Sequence, residues 1–169
     1  MKVILLSLSL LLFVTTNLFA QDKIIILMRH AEKDISPTAD KANPNLTEVG
    51  KKRAEKLLEV IKKYQPDEIF STNFIRTRST VTPLAVDTYE KYRLQIQIYD
   101  HTELEEFAKK ILDSKSRCIV VVGHNTTTPM LANILAKDNK FTALDESEYD
   151  KIFIIKIKKK AITSDKIVY

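Results

Sequence analysis

Arginine and histidine side by side, Arg29 and His30, close the apolar run from Ile24 to Met28 in the stretch ILMRHAEK. Three further apolar runs end in groups of the same chemical kind. Arg76 and Arg78 follow one in STNFIRTRST, Asp100 and His101 follow another in YDH, and Gly123 and His124 close CIVVVGH. Guanidinium forks bind phosphate oxygens bidentately and stay charged at any ordinary pH. A neutral imidazole can attack phosphorus and carry the phosphoryl group covalently. A second imidazole, protonated, can stabilise the extra charge of the transition state. A nearby carboxylic acid can protonate the leaving oxygen, and its carboxylate can then activate water. Such a set suits phosphoryl transfer. Backbone N–H groups at helix starts after Arg29, Ser71 and His124 would add anion contacts.

For these groups to meet, the runs that carry them must lie side by side. Hydrophobic patterning predicts strands over Ile24 to Met28, Asp67 to Phe70, Leu94 to Tyr99 and Cys118 to Gly123. The last is apolar throughout, as a central strand is. Thr47 is placed to cap a helix with Val49, Leu57, Leu58 and Ile61 on one face. A second helix is predicted from Asn73 to Tyr89, with Pro83 as a kink or break. TELEEFAKKILD spaces Leu104, Phe107, Ala108, Ile111 and Leu112 as an amphipathic helix, and another follows near Pro129 to Ala136. KIFIIKIKK and ITSDKIVY read as strands, paired antiparallel. The expected fold class is α/β, a three-layer α/β/α sandwich with a mostly parallel central sheet and helices on both faces. Ligands of such sheets bind beyond the carboxyl ends of the strands, where all four polar groups fall. The polar segment 34–46, with Ser36-Pro37 and Asn43-Pro44, reads as a long loop bordering that edge and setting selectivity.

With those residues in place, the chain resembles the histidine phosphatase superfamily, whose fold is phosphoglycerate mutase-like. The resemblance rests on LMRHAEK, LTEVGKKRA, STNFIRTRSTVTPLA and VVVGHNTTTP, in that order. It implies His30 as the phosphate-accepting nucleophile, Arg29 and Arg76 as phosphate ligands, and His124 as the second catalytic histidine. It also selects Arg76 over Arg78, since positions two apart on a helix do not face the same way. Alanine follows Arg29-His30 where many members have glycine. Asn125 stands where one branch carries a carboxylate after the second histidine. The acid is expected to be Asp100, by its place after the third strand, although the same carboxylate could cap the helix beginning near HTELEEF. Glu32, two residues after His30, is the alternative acid, and a salt bridge with a nearby lysine competes for it. His101 falls at the rim or in a solvated loop. The short chain between the third and fourth strands leaves no room for a large cap domain, which favours a small phosphatase over a mutase.

The expected activity is hydrolysis of a phosphate monoester or phosphoamidate through phospho-His30, with a small phosphorylated substrate, no cofactor and no metal. The histidines lack a short ligand spacing, and the arginines would repel a cation. The alternatives are a binding module that keeps the phosphate pocket without turnover, and a phosphomutase. Residues 1–20 read as a signal peptide, with Lys2, an apolar core and Leu18-Phe19-Ala20, leaving residues 21–169 as one domain. The expectation is an exported, periplasmic or secreted protein without stable membrane insertion. Removing Lys2 leaves 26 basic against 22 acidic residues, or +4. That charge is spread over helical faces rather than gathered into a nucleic-acid footprint, and the lysine-rich KIKKK reads as a protected edge strand. Cys118 is the only cysteine, so no internal disulfide forms, and its apolar surroundings suit a buried side chain.

Overall fold

The computed structural model describes residues 22–159 and 161–169. The expected signal segment, 1–20, lies outside them. Six strands form one sheet: β1 (Lys23–Arg29), β2 (Glu68–Ser71), β3 (Ile96–Ile98), β4 (Cys118–Gly123), β5 (Lys151–Lys158) and β6 (Ala161–Val168). Their order across the sheet is β3-β2-β4-β1-β5-β6. β1, β4, β2 and β3 run parallel, whereas β5 is antiparallel to β1 and β6 antiparallel to β5. The helices are α1 (Glu48–Ile61), α2 (Ile75–Tyr92), α3 (Leu104–Asp113) and α4 (Thr127–Ala136). No described helix is long and apolar enough to cross a membrane.

Alternation along the strands divides the core into two layers. On one face Ile25, Leu27, Ile119 and Val121 pack with Phe107 and Ile111 of α3 and Leu131 and Leu135 of α4. On the other, Ile26, Met28, Val120 and Val122 pack with Leu57 and Ile61 of α1 and Val81 and Leu84 of α2. The three-layer α/β/α sandwich expected from the sequence is therefore the observed fold. Because β1 and β4 are covered on both faces, they carry unbroken apolar runs rather than alternating ones.

Thr47 does cap α1, its hydroxyl accepting from the Gly50 N–H at 3.0 Å. The buried stripe of α1 is Gly50, Ala54, Leu57 and Ile61. Val49 is exposed instead of belonging to that face, because position 49 lies one residue, about 100°, off the stripe. Leu112 of α3 is likewise exposed, one step past Ile111. α2 runs without a break through Pro83. Lys156 and Lys158 of the lysine-rich run belong to β5, which is paired on both sides; β6 forms the sheet edge. Apolar Phe153, Ile154 and Ile155 make β5 interior, and its lysines gather at the two ends of the strand.

Candidate active site

The register Arg29↔Gly123 between β1 and β4 brings the ends of these strands together. The His30 N–H donates to the Gly123 carbonyl at 3.0 Å. The next N–H, of Ala31, donates to Thr80 Oγ1 at 2.8 Å, and the Thr80 hydroxyl donates to the Arg76 carbonyl at 2.8 Å. The chain leaving β1 is thus pinned to β4 and α2 at once. Ala31 is fully buried and takes no left-handed backbone conformation, so alanine serves where glycine is not demanded. Behind this segment, a Cβ on Gly50 would sit 2.4 Å from the Glu32 carbonyl oxygen; glycine lets α1 press against the loop that follows the histidine.

His30 Nδ1 lies 2.8 Å from the Ala31 carbonyl. A carbonyl only accepts, so Nδ1 carries the proton and Nε2 of the neutral ring bears the lone pair. Burial, opposed by the bond to the Ala31 carbonyl and helped by the charges of Arg29 and Arg76, lowers the His30 pKa to about 3. The ring is neutral at any ordinary pH, as a nucleophile must be.

The His124 ring lies 5.7 Å from that of His30, centroid to centroid, in an edge arrangement. Its Nε2 is 3.1 Å from Thr72 Oγ1. Thr77 Oγ1 donates to the backbone carbonyls of Thr72 and Phe74, and Thr72 Oγ1 donates to Thr77 Oγ1. With its one proton spent, Thr72 Oγ1 accepts from His124 Nε2–H. Burial, then Arg76, His101, Arg29 and Lys33, push the His124 pKa down to about 4. His124 is thereby neutral at ordinary pH, whereas the role expected from the sequence, stabilising a transition state, calls for its protonated form. A charge on it has to arrive with an anion.

Arg29 and Arg76 supply the permanent positive charge. Arg29 is buried; Nη1 donates to the carbonyls of Asp145 and Glu146 at 2.8 and 3.1 Å, Nη2 donates to Glu146 Oε2 at 2.7 Å, and Tyr149 lies over its Cζ at 4.2 Å. The Cζ of Arg76 lies over the Phe74 ring at 4.3 Å. Three buried polar atoms here lack a partner: Arg29 Nε, Arg76 Nε and Thr127 Oγ1. Unpaired buried donors are costly unless something meets them. All three residues line one cleft of about 260 Å³ with His30 and His124. A cleft lined by two guanidinium side chains, a hydroxyl side chain and a neutral imidazole suits an oxyanion. A larger groove, about 880 Å³, lies elsewhere along α1 and α2 and holds none of these groups.

The structure does not bring Asp100 into this cleft. Its exposed carboxylate accepts from the N–H and hydroxyl of Thr102 at 2.8 and 2.7 Å, and these hydrogen bonds hold its pKa below the usual carboxylate range. That corrects the expected acid: the local turn claims the side chain, although α3 itself begins later, at Leu104. Glu32 does not fill the role either. Arg53 grips both its oxygens, at 2.6 to 2.8 Å, and although burial opposes ionisation, these bonds keep its pKa low. Arg78 pairs with Asn73 outside the cleft, while His101 lines it, 5.2 Å from His124. No helix starts directly after Arg29, and the Ile75 N–H opening α2 is taken by the Asn43 side chain. Of the three expected helix starts, those of α2, with Phe74 and Arg76, and of α4, with Thr127, lie at the cleft.

Sequence reasoning missed Thr72, Thr127, Tyr149 and Glu146. Thr127 was legible in HNTTTP as a hydroxyl near a helix start. Glu146 carried no periodic signal, since it lies in an irregular segment after α4.

The model of the histidine phosphatase superfamily, branch 1, matches residues 25–109, and the chain belongs to that superfamily. His124 lies beyond the matched stretch and joins the site through the β1–β4 register. No curated protein sequence matches. Solved structures share the fold at low identity. A candidate α-ribazole-5'-P phosphatase from Escherichia coli superposes with TM-score 0.67 at 15% identity, covering 87% of this chain and 97% of its own. A candidate phosphohistidine phosphatase, SixA, from Agrobacterium tumefaciens gives 0.64 at 18%, covering 87% and 99%. A mycobacterial glucosyl-3-phosphoglycerate phosphatase complexed with VO3 gives 0.62 at 16%, covering 87% and 98%.

Proposed function

We propose that the protein is an exported, metal-independent phosphatase that hydrolyses a phosphate monoester or phosphoamidate through phospho-His30. One observation carries the reading: Arg29, Arg76 and Thr127, each with a buried and unpartnered polar atom, line the same cleft as a neutral His30. A phosphoryl group held by these donors meets the Nε2 lone pair, and the charge building on its equatorial oxygens is offset by guanidinium groups that need no reorganisation. An anion also favours protonation of His124, which then adds its charge as the transition state forms.

The leaving group has an adjoining cavity. A pocket of about 290 Å³ shares Lys33 and Arg76 with the cleft and is walled by Ile35, Ser36, Ala39, Lys41 and Pro44. These belong to the segment expected to set selectivity. The names of the fold neighbours support testing sugar phosphates and phosphohistidine side by side. The N-terminal residue pattern supports export.

Purified protein lacking residues 1–20, incubated with 4-nitrophenyl phosphate and a panel of natural esters in EDTA, is expected to release phosphate and to trap an acid-labile phosphoenzyme. His30→Ala abolishes both. A His30→Ala chain that keeps the full rate sinks the reading. The absence of Asp100 from the cleft favours one second reading, a phosphate-binding module without turnover. Vanadate binding with no hydrolysis of any ester between about pH 4 and 8, where carboxylates and imidazoles titrate, would establish that reading instead.

A further inference from the structure

With Asp100 and Glu32 engaged elsewhere, the reaction needs a proton carrier, and one carboxylate lines the cleft. Besides Arg29, His30, Arg76 and His124, the lining includes Glu146, the only acidic residue among the described residues that form it. We propose that Glu146 is the proton-transfer residue of this site, the acid for the leaving group and the base for water. The proposal rests on the phosphatase reading given above.

Glu146 is held on both sides. Oε2 accepts from Arg29 Nη2 at 2.7 Å, and Oε1 accepts from Asn125 Nδ2 at 3.0 Å. Its backbone is fixed as well, because Arg29 Nη1 takes the carbonyls of Asp145 and Glu146, and the Leu144 N–H donates to the Asn125 carbonyl at 2.9 Å. The carboxylate is nonetheless mostly exposed, with 69% of the side chain open against 2% for Arg29. It is therefore positioned by the protein and still able to exchange a proton with solvent.

The unpaired Arg29 Nε sets the relation to substrate. Nε and Nη2 are neighbouring donors of one planar guanidinium. Glu146 occupies Nη2, and Nε has no partner. A phosphoryl oxygen on Nε would come to rest beside the carboxyl oxygen on Nη2. The carboxyl group thus stands beside the phosphoryl group it would serve as acid and base.

The steps balance. The His30 Nε2 lone pair forms the P–N bond as the bond from phosphorus to the leaving oxygen breaks, and the Glu146 carboxyl passes its proton to that oxygen. A water oxygen then attacks phosphorus while the Glu146 carboxylate takes the water proton. The P–N electrons return to Nε2, and inorganic phosphate is freed.

Glu146→Gln keeps the size and polarity of the side chain but carries no transferable proton. Wild type and variant are compared on 4-nitrophenyl phosphate, whose leaving group departs without help, and on glycerol phosphate, whose alkoxide does not. The variant is expected to lose about 10²-fold or more in kcat on glycerol phosphate, the usual scale for a lost general acid. On the nitrophenyl ester it gives a burst of about one nitrophenolate per chain, followed by slow turnover, and it accumulates phospho-His30. Equal losses on both esters, a change confined to KM, or turnover without phosphoenzyme would overturn the role and leave Glu146 as a support for Arg29. Failure of the underlying reading looks different, since a wild-type chain would then form no phospho-His30, and the role would fall with it. Asn125→Ala serves as a second variant. It frees Oε1 and is expected to shift the pH profile of kcat on glycerol phosphate, and an unchanged profile counts against the role.

Discussion

The Cα of Gly123 faces the Tyr99 hydroxyl so closely that a Cβ there would lie 2.6 Å from it, and 2.8 Å from Thr128 Oγ1. β4 therefore ends in glycine because β3's exit and α4 close over it, and the residue that follows is His124. Gly123→Ala is expected to destabilise the fold by about 1–3 kcal/mol through overpacking, read as a lower urea midpoint with unchanged slope. Tyr99→Phe in the same chain removes the nearest clashing atom and should recover part of the loss.

Acid should weaken the fold by way of the two site histidines. Their pKa values fall from 6.5 to about 3 for His30 and about 4 for His124, so the unfolded chain binds more protons than the folded one across that interval. Because the folded values are the depressed ones, this stabilisation is fully present above 6.5 and is lost as pH drops towards the folded values. Melting temperature recorded from neutral to acid pH should fall more steeply for wild type than for His30→Asn/His124→Asn. Parallel curves would mean that these imidazoles are not held neutral by burial.

Arg76 and Arg78 offer a paired comparison on one helix. Arg76 lines the cleft, and Arg78 pairs with Asn73 outside it. Losing a charged hydrogen-bond donor costs about 1.5–3 kcal/mol, so vanadate inhibition should weaken by roughly 10- to 100-fold in Arg76→Ala. Arg78→Ala should bind vanadate as wild type does, and equal effects would place the phosphate elsewhere.

Asp100→Asn should retain kcat on glycerol phosphate within about twofold, as a surface change away from the chemistry does. Glu32→Gln is expected to keep most of the rate while lowering stability by about 1 kcal/mol, since it breaks one charge of a half-buried bidentate pair with Arg53. A large loss of kcat with intact stability in either variant would return the acid to the position first expected for it.

What the sequence made legible follows how local each signal is. Four apolar runs ending in Arg, His and Asp pointed to one sheet edge, because a covered parallel strand must be apolar throughout and its polar groups can appear only where it ends. Helical geometry admitted only one of Arg76 and Arg78 to the site, and the family resemblance picked Arg76. Asp100 followed a strand in the right order, yet its two-residue turn with Thr102 is stronger than any long-range demand on it. Glu146 was invisible for the opposite reason. It reaches the cleft only through the Asn125 and Arg29 contacts, across 21 and 117 positions of chain. KIKKK was misplaced because the number of neighbours a strand has is a property of the sheet, not of the strand.

The contact from His30 N–H to the Gly123 carbonyl spans 93 residues, and the Arg29–Glu146 pair spans 117. Parallel pairing over such distances must overcome the entropy of closing a long loop before any contact rewards it. A full-length but partly folded chain therefore contains every reactive side chain without possessing a site. Until β1 has paired with β4 and packed against α2, His30 is a solvated imidazole that shares no cleft with Arg76 and His124. Catalytic competence is thus a late and cooperative property. In a refolding experiment, recovery of activity should trail the return of helical signal and coincide with burial of β1 between β4 and β5.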